Sequence, residues 1–167
     1  MKKNYIFGYG SLVGACGVNG RRMRKQYRPK DLTETYLRDY TRHLEAGPAG
    51  SGVNYYGVDK DPDGLVNGVL FEINTEDRDP FLISEGFGLP ERIRPYKMVD
   101  VTNKITTKVN GRVWVCECTR RNDGEVQRGY FWRVAEALKE RSKKFNKEFA
   151  PFDLNWQKRV DFFEMWD

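Results

Sequence analysis

The sequence predicts one strand-dominated α+β domain with a long helix late in the chain. Three observations carry that expectation. Val66-Asn67-Gly68-Val69-Leu70-Phe71 places apolar side chains on both faces of a strand, as a central strand of a sheet requires. Asn110-Gly111 is the strongest two-residue hairpin signal in the chain. Val126, Tyr130, Val134 and Leu138 recur every four residues, with Phe131 and Ala135 beside them, as on the buried face of a helix.

Residues 4–7 read as a short strand that runs into Gly8-Tyr9-Gly10-Ser11, a loop of little side-chain bulk. Residues 21–30 carry six basic side chains and no acid. Residues 36–44 form a further strand. Residues 53–58 and 65–73 are stronger ones, separated by a turn over Asp59-Lys60-Asp61-Pro62-Asp63-Gly64. Asn74 or Thr75 caps a short helix with Glu76 and Asp77 in its first turn, where the helix dipole favours acids. That helix ends near Glu85-Gly86. Residues 97–109 and 112–119 flank Asn110-Gly111 as a hairpin. Residues 126–149 are helical, and the aromatic-rich residues 149–167 pack back on the core. With no internal repeat and no linker, residues 1–167 read as a single domain.

Composition narrows the function classes. Among 167 residues, 39% are hydrophobic and 14% aromatic, enough for a core despite 32% charged residues. The net charge of +5, from 29 basic and 24 acidic residues, is modest, and no nucleic-acid-binding motif is present. No nucleic-acid partner is therefore expected. The basic run at 21–30 reads as a solvated face, with attraction of an acidic substrate or of nucleic acid as the sharper alternative. No apolar stretch approaches the roughly 18 residues that span a bilayer, and the N-terminus lacks a secretory pattern. The expectation is a soluble, cytoplasmic protein without a membrane partner.

Cys16, Cys116 and Cys118 are too few for a disulfide framework. Cys116 and Cys118, two apart, share one face of a strand as small apolar fillers, and no metal is expected there. His43 is the single histidine, read as structural or solvent-facing. An enzyme built from this chain is expected to work without histidine, and neither a metal nor a cofactor is expected.

Two glycines around Tyr9 let backbone N–H groups approach a carboxylate or phosphate. The alternative is a tight turn after an edge strand. The Gly-Lys-Ser/Thr of a phosphate-binding loop and the third glycine of a dinucleotide fingerprint are both missing.

Ile6-Phe7-Gly8-Tyr9-Gly10-Ser11-Leu12 resembles the opening motif of the gamma-glutamylcyclotransferase-like superfamily, which includes the ChaC enzymes. Further stretches in the same order resemble that family: Leu37-Arg38-Asp39-Tyr40-Thr41-Arg42, then Tyr56-Gly57-Val58, then Pro62-Asp63-Gly64 with the strand Val66-Asn67-Gly68-Val69-Leu70-Phe71-Glu72-Ile73. Ser84-Glu85-Gly86 followed by Tyr96 resembles the acid-bearing segment, and Tyr130 a tyrosine that opens the late helix. The resemblance covers roughly residues 4–145. Phe87-Gly88-Leu89-Pro90-Glu91-Arg92 departs from the pattern.

The resemblance implies a small mixed β-barrel with flanking helices. It also implies an enzyme that cuts a small gamma-glutamyl amide or peptide and releases 5-oxoproline, as in glutathione metabolism. The alternative is a non-catalytic small-molecule-binding protein of the same fold. The substrate brings its own nucleophile, because its α-amine closes a five-membered ring on its γ-carbonyl. A base must take a proton from an α-ammonium whose pKa is near ~8. Donors must hold the substrate carboxylate and the developing oxyanion. On the residues alone Glu85 is a solvated acid at a helix end; with the resemblance it becomes the general acid/base, with Glu91 and Glu72 as weaker rivals. Gly8, Tyr9, Gly10, Ser11 and Leu12 would supply the substrate-binding loop, and Tyr130 a hydroxyl aimed inward. The leaving group and the oligomeric state are not legible.

Overall fold

The computed structural model describes residues 3–149. One mixed sheet organises them. It contains β1 (Lys3–Gly8), β2 (Thr33–Ala46), β3 (Val53–Ile73), β4 (Tyr96–Asp100) and β5 (Gly111–Cys118), in the order β2-β3-β1-β5-β4. The two-residue β6 (Glu125–Val126) pairs with the start of β3. The β1–β5 pair is parallel, and the other pairs along the main path are antiparallel. The sheet curls into a half-barrel with helices at its flanks. Its free edges come together where the Thr106 N–H donates to the Tyr36 carbonyl at 3.0 Å, bringing the β4–β5 connection against β2. The expected α+β class and mixed barrel are therefore present, the barrel being incompletely closed.

Residues 66–71 are all buried within β3, between β2 and β1, as their two-sided apolar pattern requires. Two local expectations differ from the structure. The turn over residues 59–64 is a bulge inside β3: pairing with β2 jumps from Arg38↔Leu65 to Tyr40↔Lys60. Pro62, which has no N–H to give a ladder, sits among the unpaired residues. Asn110-Gly111 is not a tight hairpin turn. Tyr96 pairs with Cys118 and Asp100 with Trp114, so residues 101–110 connect the strands. Gly111 is instead the position where β5 meets Lys3 of β1, whose carbonyl oxygen a Cβ there would approach to 2.1 Å.

Among the described residues, four α-helices flank the sheet: α1 (Ala15–Asn19), α2 (Thr75–Leu82), α3 (Arg128–Lys139) and α4 (Lys143–Phe149). The predicted continuous helix over 126–149 divides into α3 and α4, with Val126 in β6. Tyr130, Phe131, Val134, Ala137 and Leu138 form the buried face of α3. That face lies over the segment after β1. The Glu140 carboxylate, just past α3, accepts the Ala15 N–H at 2.6 Å and the Cys16 N–H at 3.3 Å, satisfying donors at the start of α1. Phe149 is buried, with the Arg42 guanidinium 3.9 Å over its ring. The rest of the expected aromatic tail lies outside the described residues. No described helix is long and apolar enough to cross a membrane.

The basic run does not behave as one solvated face. Asp77 of α2 is buried and accepts the N–H groups of Arg24 (2.6 Å) and Lys25 (3.2 Å). Asn19 closes the other side, donating to the Tyr27 carbonyl at 2.9 Å and accepting the Tyr27 N–H at 2.7 Å. These anchors turn Arg21 inward.

Candidate functional site

A cavity of about 240 Å³ opens where the loop after β1, the end of α2 and the start of α3 converge. That is somewhat below the ~300–1,000 Å³ of sites for drug-sized ligands, and it suits a molecule of amino-acid scale. Tyr9, Gly10, Ser11 and Leu12 line it together with Glu85, Tyr96 and Tyr130. Gly8 is not in the lining. It pairs with Val69 in the sheet, and a Cβ there would meet Leu12 Cβ at 2.7 Å, so its part is to let the chain double back. Of the rival acids, Glu91 is exposed outside the cavity, and Glu72 is held on β3 by Lys3 at 2.8 Å.

Glu85 is presented by a widened turn, Ile83–Phe87, that follows α2. Gly86 ends the turn at φ 88°, a left-handed conformation that glycine adopts without steric cost. The Glu85 side chain is 10% exposed, and its Oε1 accepts the Arg21 Nε–H at 2.5 Å. Arg21 Nη2 donates to Ser11 Oγ at 3.1 Å. Arg21 is therefore a cavity residue and not part of a solvated basic face. No local pattern separates it from Arg22 or Arg24; the signal available was the need of a largely enclosed carboxylate for a cation.

Five tyrosines line the cavity with different duties. The Tyr9 hydroxyl donates to the Cys116 carbonyl at 2.5 Å, and that of Tyr96 to the Tyr56 carbonyl at 2.8 Å. Burial, first among the causes, pushes both phenols well above their ordinary value, so they remain neutral donors. Tyr130 is arranged the opposite way. Its oxygen accepts the Tyr56 N–H at 3.2 Å and lies within the influence of the Ser11 N–H. Its own proton has no acceptor among the described residues. Burial pushes this phenol up to about 12, so at neutral pH the proton stays on. Gly10 makes the arrangement sterically feasible, since a Cβ there would lie 2.6 Å from the Tyr130 hydroxyl and 3.1 Å from Tyr56 Cβ. The fourth ring, Tyr55, meets Tyr130 edge-on with centroids 5.0 Å apart, and the fifth, Tyr56, lies 6.2 Å from it.

Cys116 borders the cavity and Cys118 lies two residues beyond it, both buried. Burial raises both thiols, Cys118 to about 11, which leaves them protonated and poorly nucleophilic at neutral pH. Elsewhere, ligating atoms of His43, Asp59 and Cys118 lie within 4.8 Å of one another. Hydrogen bonding argues against a metal ion there. The Glu45 N–H donates to His43 Nδ1 at 3.1 Å, so the neutral ring carries its proton on Nε2, which faces Asp59 Oδ1 at 3.2 Å. Arg121 Nε already occupies Asp59 Oδ2 at 3.2 Å. A cation would have to displace one proton and sit beside a guanidinium.

This arrangement has a pH signature. Burial, with Arg121 assisting, holds the His43 imidazole below its usual value despite Asp59. The unfolded chain takes up a proton near pH ~6.5, the folded ring only lower, so acidification through that window favours unfolding. We expect wild type to lose more stability than His43→Gln as pH falls from about 6.5, measured by denaturant titration. Identical pH slopes for the two proteins would contradict the assignment.

No family model matches the sequence, and no curated protein matches it. Solved structures do share its fold. An uncharacterized human protein superposes with a TM-score of 0.65 at 14% identity, over 89% of this chain and 87% of that one. A gamma-glutamyl cyclotransferase gives 0.62 at 12% identity, over 89% and 86%. YkqA from Bacillus subtilis gives 0.62 at 16% identity, over 89% of this chain and 53% of that one. At such identities the shared property is the fold.

Proposed function

We propose, from the premise that this chain has the gamma-glutamylcyclotransferase-like fold, that it is a gamma-glutamylcyclotransferase releasing 5-oxoproline from a small gamma-glutamyl amide or peptide. One observation carries the reading most: Glu85, the Ser11 loop and a donor-ready Tyr130 hydroxyl border a single cavity of amino-acid scale. The cyclotransferase neighbour adds support through the fold alone.

The chemistry follows from the substrate's connectivity. Glu85 Oε2, the oxygen that Arg21 does not hold, takes a proton from the α-ammonium. The freed amine attacks the γ-carbonyl carbon, and the carbonyl oxygen gains negative charge. Tyr130 O–H and backbone N–H groups of the Tyr9–Leu12 loop would stabilise that charge. Collapse breaks the bond to the departing nitrogen. The α-ammonium loses two protons on becoming the lactam N–H, and the departing amine gains two, one of them through Glu85. The buried thiols have no part in the sequence.

A second reading, a non-catalytic binding protein of the same fold, draws on the ion pair that already engages Glu85. Incubation with a panel of gamma-glutamyl amino acids, peptides and amines, assayed for 5-oxoproline, separates the two. Release from at least one member is expected. Binding without release from any would favour the second reading.

A further inference from the structure

Arg21 is the feature of the cavity that the reaction above leaves without a duty. Its guanidinium and the Glu85 carboxylate stand 2.5 Å apart, with side chains 17% and 10% exposed. Arg21 spends Nε on Glu85 and one Nη2 proton on Ser11, while Nη1 makes no hydrogen bond to a described residue. Glu85 spends only Oε1 in return. A cation and an anion therefore sit side by side, both lining the same cavity and each with hydrogen-bonding capacity left over. An α-amino acid carries the reverse arrangement, a carboxylate and an ammonium on one carbon. Where water is partly excluded, such charge matching discriminates strongly, because an unmatched group leaves a desolvated charge behind.

We propose that Arg21 and Glu85 together form a receptor for an α-amino-acid head group, with the substrate α-carboxylate on the Arg21 guanidinium and its α-ammonium on Glu85. This deepens the cyclotransferase reading and rests on it for the identity of the substrate. The site then accepts gamma-glutamyl compounds whose α-carboxyl is free and rejects the same compounds with that carboxyl amidated. The guanidinium also fixes Glu85, so one side chain both selects the substrate and aims the base. Geometry supports the double duty. Arg21 is held from its own backbone outward: Arg22 turns the chain at φ 58°, Asp77 accepts the Arg24 N–H, and Asn19, two residues before Arg21, accepts the Tyr27 N–H.

The test compares gamma-glutamylalanine with its counterpart carrying a glutamyl α-carboxamide, in wild type, Arg21→Gln and Arg21→Lys. Wild type should prefer the free carboxylate by about 10²-fold or more in kcat/KM, as expected where a charged hydrogen-bonding group loses its partner. Arg21→Gln should reduce that preference below about 5-fold, chiefly by raising KM for the carboxylate substrate. Arg21→Lys, which keeps the charge but loses the fork, should fall between them. An Arg21→Gln protein that keeps the preference, or that loses activity equally on both substrates, would overturn the proposal. A binding arm needs no turnover: calorimetry with 5-oxoproline and with 5-oxoprolinamide as probes. If wild type binds the acid over the amide and Arg21→Gln does not, while no 5-oxoproline is released from any substrate, the receptor stands and the enzyme reading falls. If wild type turns substrate over and Arg21→Gln still distinguishes the two probes, the receptor falls and the enzyme reading stands. If wild type binds neither probe and turns nothing over, both fall.

Discussion

Glu85→Gln should lower 5-oxoproline release by at least ~10²-fold, and up to 10⁴-fold, while the protein still folds. A positioned general base contributes on that order, about 3–5 kcal/mol of barrier. Glutamine keeps the size of the side chain, and its carbonyl oxygen can still accept the Arg21 Nε–H, so the packing around Arg21 survives. What it lacks is an oxygen that takes a proton from an ammonium. The α-ammonium also loses its charged partner, so KM should rise, but Arg21 and the Tyr9–Leu12 loop still hold substrate and the larger loss should fall on kcat. Glu91→Gln is the control: its side chain is exposed outside the cavity, and activity should stay within about 2-fold of wild type. A Glu85→Gln enzyme that retained most of its rate would remove Glu85 from the role of base. Loss of rate together with a large drop in melting temperature would call instead for comparison with Glu85→Asp.

The parts of this site that the sequence made legible are those encoded by local pattern. The strand into Gly8-Tyr9-Gly10, the two-sided apolar run at 66–71 and the helical face carrying Tyr130 each declare themselves within a few residues. The ordered resemblance then linked Glu85 to the loop after β1, and both border the one cavity. What escaped depends on partners distant in sequence. Arg21 is the first of six basic residues, and only the carboxylate 64 positions away distinguishes it from its neighbours. Asn110-Gly111 carries strong hairpin chemistry, yet Gly111 is committed to β1 across the parallel pair, and that pairing outweighs the local turn. Residues 59–64 have turn composition, but β2 runs alongside and absorbs them as a bulge. In each case a long-range contact won over a local preference.

Tyr130→Phe is the second large effect and separates transition-state stabilisation from binding. The substitution removes one oxygen from a buried ring and leaves the ring packed against Tyr55 and Tyr56. Two consequences follow. The Tyr56 N–H loses its acceptor, which should lower stability by about 1–3 kcal/mol. The cavity also loses a phenolic proton that has no acceptor among the described residues, whereas those of Tyr9 and Tyr96 are donated to backbone carbonyls. If that proton meets the oxyanion, kcat should fall by about 10²–10³-fold, the usual effect of deleting an oxyanion donor, with KM little changed. The raised phenol, at about 12, adds a pH condition: the donor keeps its proton at neutral and mildly basic pH, so the wild-type profile should show no loss assignable to Tyr130 there. A fall in kcat of less than about 5-fold, in a protein shown by melting to be folded, would assign the hydroxyl to holding the Tyr56 backbone alone and leave the oxyanion to the Tyr9–Leu12 amides.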